Sequence, residues 1–273
     1  MLREYGTGGL ESPLDIRTFS YVPSKANVKG GARYSKEDIG DQFKVGICTA
    51  NSTVMHAQKA TGDKYSEDFQ YLIQKKLIDG NWDEGSSISS ALKASKNYGF
   101  LPKHLWTFTT EKDRKLPYDK YIAKLQKVDI EPLLKLTVKP IKAYAKVPTD
   151  RDSMANAIDE SPAGILTRYR LGKEWWSKPI EPLREPRDFI SGHAVIDTNY
   201  DGNSFRVANG WGIDWCDDGT AYRLHNLYKP TEAWIVYYNE APSHVEDQLK
   251  KRLELIGKLK DLLQKLLELT KLK

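Results

Sequence analysis

Cys48 lies in the segment Gln42-Phe43-Lys44-Val45-Gly46-Ile47-Cys48-Thr49-Ala50-Asn51, just past a glycine and at the start of a helical run. A thiol attacks a carbonyl carbon only as the thiolate, and a free cysteine is mostly protonated at neutral pH. The positive end of a helix and a nearby imidazolium both lower its pKa. Residues Thr49 to Ala60 read as that helix, ending near Gly62, with Ala50, Val54, Met55 and Ala57 on a buried face. Cys48 then falls at the helix N-terminus with its own backbone N–H unpaired. A lone cysteine in such a place is more often a small buried hydrophobe, so the residues that accompany it decide.

Acyl transfer at a thiol builds negative charge on the carbonyl oxygen, and donors aimed at that oxygen are often the largest catalytic contribution. Gln42, six residues upstream, together with the Cys48 backbone N–H, supplies such a pair. Downstream, His193 in Ser191-Gly192-His193-Ala194-Val195 opens an apolar strand, where a histidine is usually a satisfied core residue. After the polar turn at Asp201-Gly202, a second strand from Ser204 to Ala208 returns Asn209 to the side of His193. An amide oxygen accepting from the imidazole fixes ring orientation and tautomer without adding charge. Trp211 is placed to cover that bond from water.

Gln, Cys, His and Asn-x-Trp, in this chain order, resemble the papain-type cysteine peptidases. The run Asn209-Gly210-Trp211-Gly212-Ile213-Asp214-Trp215-Cys216-Asp217-Asp218-Gly219 resembles the family's Asn-Ser-Trp-Gly-x-x-Trp-Gly-x-x-Gly almost position for position. Pro13-Leu14-Asp15-Ile16-Arg17 resembles the opening of the mature chains, and Tyr65-Ser66-Glu67-Asp68-Phe69 the start of the second helix. Glu84-Gly85-Ser86-Ser87 resembles the glycine loop along the non-primed substrate cleft, and Met154 to Leu166 the helix and strand that begin the barrel half. The likeness covers roughly residues 13 to 240. It implies an α+β fold of two lobes, a helical lobe and a β-barrel lobe, with the active site in the cleft between them. It implies Cys48, His193, Asn209 and Gln42 as the catalytic set, and Gly85, Ser86, Gly192 and Trp211 as substrate-binding residues. Gly85 is expected to offer its N–H and C=O to an extended peptide.

The departures from the family pattern also carry information. The form Cys48-Thr49-Ala50-Asn51 is similar to that of bacterial and viral members without disulfides, Thr49 replacing the usual Trp. Val45 stands where a disulfide cysteine is usual, Gly192 where Asp or Asn often precedes the histidine, and Cys216 where glycine is usual. None of these removes a catalytic atom. The expected activity is peptide-bond hydrolysis. Two rivals stay open: a thiol amidase or cell-wall peptide hydrolase, and a structural or binding protein of a larger assembly, such as a virus particle, that keeps the shape.

The whole-chain numbers fit one catalytic domain with appendages. With 273 residues, 40% hydrophobic content and seven Trp, the chain can bury a sizeable core. Two cysteines, one of them the nucleophile, leave no pair for a structural disulfide, which suits reducing conditions or folding without staples; the location expected is cytoplasmic or virion-associated. The N-terminus lacks the apolar run of a secretory signal, and no apolar run of membrane-spanning length occurs. Few residues precede Cys48, so no long inhibitory prosegment is expected in this sequence. The formal charge of +5 is spread along the chain without basic runs interleaved with aromatics, which argues against a nucleic-acid partner. No His/Cys cluster at zinc spacing and no phosphate-cradling loop appears, so no metal or cofactor is expected.

The organisation expected is a flexible lead-in over residues 1–12 and a catalytic domain over 13–242. Within that domain the helical lobe spans about 40–135, and the barrel lobe spans about 136–242 together with the N-terminal segment. Residues 103–135 are expected to add a short strand and one further helix, and 167–190 a strand and a proline-stiffened loop. Residues 243–273 read as an amphipathic helix. There Leu255, Leu259, Leu262, Leu266 and Leu269 alternate at spacings of four and three, and Leu249, Ile256 and Leu263 along the adjoining edge make the stripe wider than a two-stranded coiled-coil seam. Self-association, or docking to an assembly through 244–273, is the leading expectation. Packing back on its own domain comes second, and lying on an anionic membrane surface comes last.

Overall fold

Helix α1 (Cys48–Thr61) is buried on both flanks, which is why its sequence is not amphipathic. Its polar residues are buried with partners instead. Asn51 Nδ2 donates to the Gly210 carbonyl at 3.1 Å, and the His56 ring bonds the Tyr238 hydroxyl at 2.8 Å and the Gly164 carbonyl at 2.9 Å. Ser52 and Thr53 bond back to the carbonyls of Cys48 and Thr49, both at 2.7 Å. The helix ends as expected at Gly62, whose φ of 82° is the left-handed cap that glycine adopts most readily. This computed structural model describes residues 5–13, 20–22, 29–106, 108–176 and 182–238, with Lys258 and Leu262. Its contacts divide the chain into two units, Met1–Asn239 and Glu240–Lys273.

One flank of α1 meets helices. Helix α2 (Glu67–Ile73) starts at Ser66, whose hydroxyl accepts from the Phe69 N–H at 3.1 Å, and runs on into a π-helical turn over Gln74–Asp79. Helix α3 (Ile88–Tyr98) starts in the same way at Ser87. The short helices α4 (Glu111–Arg114), α5 (Tyr118–Leu125) and α6 (Glu131–Leu134) follow. Val45, Ile47, Ala50, Phe69, Leu72, Ala94, Leu101 and Tyr121 form the core on this side. The strand expected within 103–135 is not found among the described residues, which hold three short α-helices and a 3-10 turn at Lys103–Leu105.

The other flank of α1 meets a sheet. Strands β4 (Ala143–Val147), β9 (Glu232–Tyr237), β5 (Ile165–Leu171), β6 (Ser191–Tyr200), β7 (Ser204–Ala208) and β8 (Thr220–Leu224) lie in that order, all antiparallel, and β2 (Gly30–Gly31) pairs with β6. The path runs from β4 to β8 without closing, so the expected barrel is an open sheet among the described residues. Val54, Met55, Leu166, Ala194, Ile196 and Trp234 join α1 to one sheet face. Tyr169, Trp175, Val195, Trp211, Trp215 and Tyr228 fill the other. Helix α7 (Arg151–Glu160) is capped by Asp150, which accepts from the Ser153 N–H at 2.9 Å. Beneath the β6–β7 hairpin lies a fully buried ion pair, Arg223 with Asp197, to which the Tyr169 hydroxyl also donates at 2.9 Å. The helix expected over 243–273 lies outside the described residues except at Lys258 and Leu262, which are helical and exposed.

Candidate active site

The site forms where the N-terminus of α1 meets the start of β6. Cys48 is the first residue of α1 and is 1% exposed. Burial pushes its thiol up to about 11, outweighing the backbone N–H groups of Ala194, Thr49 and Cys48 itself and the charge of Arg168, all of which act to lower it. The expectation of a depressed pKa from the helix end therefore fails in this closed form, where loss of water is the larger effect.

His193, next to Ala194, bonds through Nε2 to Asn209 Oδ1 at 2.8 Å. The hairpin of β6 and β7 brings the two together, and a neutral ring donating from Nε2 leaves Nδ1 as the acceptor. Trp211 lies against the imidazole with ring centroids 4.5 Å apart, and neither residue is exposed. Burial lowers the His193 pKa to about 4, so thiol and imidazole are both neutral at pH 7 here. Several buried polar atoms have no hydrogen-bond partner among the described residues: Gln42 Oε1, Asn51 Oδ1, His193 Nδ1 and Asn209 Nδ2 all belong to this site.

Residues 5–12, read from the sequence as a flexible lead-in, run through this cleft. The Tyr5 ring stacks on Trp211 at 4.6 Å. The Gly6 carbonyl accepts from Gln42 Nε2 at 2.9 Å and from Trp211 Nε1 at 3.1 Å. Gln42 Nε2 also donates to the Val45 carbonyl at 3.0 Å, so the amide expected to face an oxyanion is engaged within the chain. Gly8 donates to the Gly192 carbonyl at 3.3 Å and accepts from the Ser86 N–H at 2.9 Å. Strand β1 (Gly9–Leu10) pairs in parallel with β3 (Ser86–Ser87). A Cβ at Gly6 would stand 2.0 Å from the Val45 carbonyl oxygen, and one at Gly8 would stand 2.8 Å from Gly85 Cα. The glycines are therefore what lets the segment lie this deep.

The glycine loop differs from expectation in one respect. The Gly85 N–H donates to the Tyr71 hydroxyl at 3.2 Å, and its carbonyl accepts from the buried Lys75 ammonium at 3.0 Å. Its backbone groups hold the loop, and the neighbouring Ser86 offers the N–H to the segment in the cleft. Sequence reasoning missed Lys75, Arg168 and Glu232. Arg168 Nε donates to the Gly9 carbonyl at 2.7 Å, and the buried Glu232 accepts from the Ser12 N–H at 3.1 Å. An arginine inside the apolar run of β5 was the available signal. Among the described residues no group of three His, Cys, Asp or Glu is placed to hold a metal ion, and no helix is long and apolar enough to cross a membrane.

No family model matches the sequence, and no curated protein matches it either. Solved structures do resemble it. Xylellain, a cysteine protease from Xylella fastidiosa, superposes with a TM-score of 0.71 at 22% identity, over 87% of this chain and 98% of that one. Digestive procathepsin L 3 of Tenebrio molitor larval midgut gives 0.57 at 19% identity, over 86% and 76%. The Carica candamarcensis cysteine protease CMS1MS2, in complex with E-64, gives 0.50 at 15% identity, over 74% and 93%. The chain has the papain-like α+β fold, and both of its cysteines are free.

Proposed function

We propose that this chain is a cysteine endopeptidase, using Cys48 as nucleophile, His193 as acid and base, Asn209 as its orienting partner, and Gln42 with the Cys48 N–H as oxyanion donors. The observation that carries the reading is the bond from His193 Nε2 to Asn209 Oδ1 under Trp211, beside the strand residue whose N–H meets the Cys48 thiol. With Nε2–H committed to Asn209, Nδ1 takes the thiol proton. The thiolate adds to a peptide carbonyl carbon, and the imidazolium returns the proton to the leaving amine. Water, deprotonated at the same nitrogen, then hydrolyses the thioester. The substrate is an extended peptide or protein segment.

Gln42 serves this scheme only once the Gly6 carbonyl has left it, so turnover requires residues 5–12 to move out of the cleft. Two free cysteines suit a reducing compartment such as the cytoplasm, or a fold that needs no staples. Residues 244–273 are assigned to self-association or docking, on the strength of their leucine stripe. E-64, which the Carica protease binds, provides the test. A covalent adduct on Cys48, together with cleavage of casein that this adduct abolishes, supports the reading. A folded chain that forms no adduct and cleaves nothing refutes it.

A further inference from the structure

Strand β5 lies inside the sheet between β9 and β6, and Ile165, Leu166, Thr167, Tyr169 and Leu171 along it are wholly buried. Arg168 interrupts this run with a guanidinium that is 6% exposed, in a place where burying a charge is costly unless it is used. Its Nη1 donates to Thr231 Oγ1 at 2.8 Å, which fixes the plane of the group. Its Nε donates to the Gly9 carbonyl at 2.7 Å. Gly192 makes the room: a Cβ there would stand 2.5 Å from Nη2 and 2.6 Å from Nε. The guanidinium thus fills the space a side chain before His193 would take, and aims a donor at whatever peptide lies in the cleft.

We propose that Arg168 is a substrate-binding residue that takes a main-chain carbonyl of an extended peptide and favours a carboxylate two residues along it. That the peptide is a substrate rests on the peptidase reading; the binding itself does not. In an extended chain successive carbonyls point to opposite sides. The cleft uses both: the Ser86 N–H takes the Gly8 carbonyl at 2.9 Å from one wall, and Arg168 takes the Gly9 carbonyl from the other. These two bonds are made to backbone atoms, while the close approach at Gly6 and Gly8 asks for small residues there, and the charge on Arg168 makes its bond the stronger. The carboxylate preference comes from Glu11, whose Oε1 lies 3.6 Å from Nη1.

The test uses the full chain carrying Gly6→Leu and Gly8→Leu, whose own segment cannot seat. A fluorescein-labelled octapeptide of residues 5–12, Tyr-Gly-Thr-Gly-Gly-Leu-Glu-Ser, is titrated into it by anisotropy. Saturable binding is expected, weakened roughly tenfold or more by Arg168→Gln, as for loss of a hydrogen bond to a charged group. Thr231→Val, which loosens Nη1 and leaves the cleft walls alone, gives an intermediate loss and serves if Arg168→Gln does not fold. Replacing Glu11 by Gln in the peptide costs affinity with Arg168 present and little without it; a purely structural arginine would show no such coupling. Equal affinity with and without Arg168→Gln, or no binding at all, overturns the proposal. Arginine-dependent binding by a chain that cuts no peptide would uphold it and remove the hydrolase reading instead.

Discussion

The Gly6 carbonyl lies 2.9 Å from Gln42 Nε2, so the side-chain amide proposed here as an oxyanion donor holds a peptide oxygen of its own chain. The same segment lies against the backbone of Gly192 and His193, and burial is the leading cause of the shifts at both Cys48 and His193. On the reading proposed above, this arrangement would be a resting state, with the Gln42 amide occupied and burial disfavouring the charged forms of thiol and imidazole.

Unseating the segment should therefore wake the thiol. In Gly6→Leu/Gly8→Leu, water returns to Cys48, its pKa falls, and the thiolate fraction at neutral pH rises. Iodoacetamide at about pH 7 should alkylate Cys48 roughly tenfold faster or more than in the unaltered chain, as judged by peptide mass mapping. An unchanged rate would mean that the segment does not shield the thiol.

His193→Ala and Asn209→Ala should differ in severity. The histidine moves the proton, and its loss should lower peptide hydrolysis by roughly 10²–10⁴-fold. The asparagine only orients Nε2 at 2.8 Å, so its replacement should cost less while the fold persists. Equal losses in two folded variants would reverse the roles assigned here.

Stability should depend on pH at both ends. His56 and His193 are held near 4 by burial against an ordinary 6.5, so the unfolded chain binds more protons between those values. Stability is full above about 6.5 and is lost as pH falls toward about 4. Cys48 has the opposite sign: raised from 9.0 to about 11, it withdraws stability as pH climbs through that window. Thermal melts of the chain and of Cys48→Ala across pH isolate the second effect, which should vanish in the variant.

Arg223→Met should destabilise strongly. Arg223 and Asp197 are both fully buried, and removing the arginine leaves a carboxylate with only the Tyr169 and Thr167 hydroxyls and no counter-charge. The cost expected is about 3–5 kcal/mol in denaturant unfolding, and an apolar replacement of both partners should cost less. A loss under about 1 kcal/mol would show that water reaches the pair.

The pairing of His193 with Asn209 was legible because acyl-transfer chemistry, where it occurs, asks for particular residue types in a particular order. Cys48, His193 and Asn209 could be aligned from one helix start and one hairpin, and the hairpin does bring His193 to Asn209. The segment over 5–12 was not legible, because Gly6, Gly8 and Gly9 bind through backbone alone and leave no side-chain periodicity. Arg168 was hidden for a related reason: a charge within an apolar strand reads as a surface position until the space left by Gly192 is seen. Trp106 and Phe108 mimicked strand alternation, yet Trp106 packs edge-on against Phe69 of α2 at 5.9 Å in a non-strand turn. Nor could the pattern of single strands say whether the sheet closes, since closure depends on the pairing of β4 and β8.

The leucine stripe of residues 244–273 is proposed to serve assembly rather than chemistry. Each leucine left in water forgoes roughly 1.5–3 kcal/mol of burial, which favours a partner. Deleting 244–273 should lower the mass seen by light scattering and leave Cys48 labelling intact. A monomeric full chain that loses many degrees of melting temperature on truncation would assign the stripe to its own core.

Treatment with E-64 at neutral pH, followed by intact-mass and peptide mapping, tests the central claim most directly. One equivalent should add to Cys48 and none to Cys216, the adduct should form faster in Gly6→Leu/Gly8→Leu, and His193→Ala should abolish it. Labelling of both cysteines at similar rates, or a Cys48 adduct indifferent to His193, would contradict the assignment of an activated thiol.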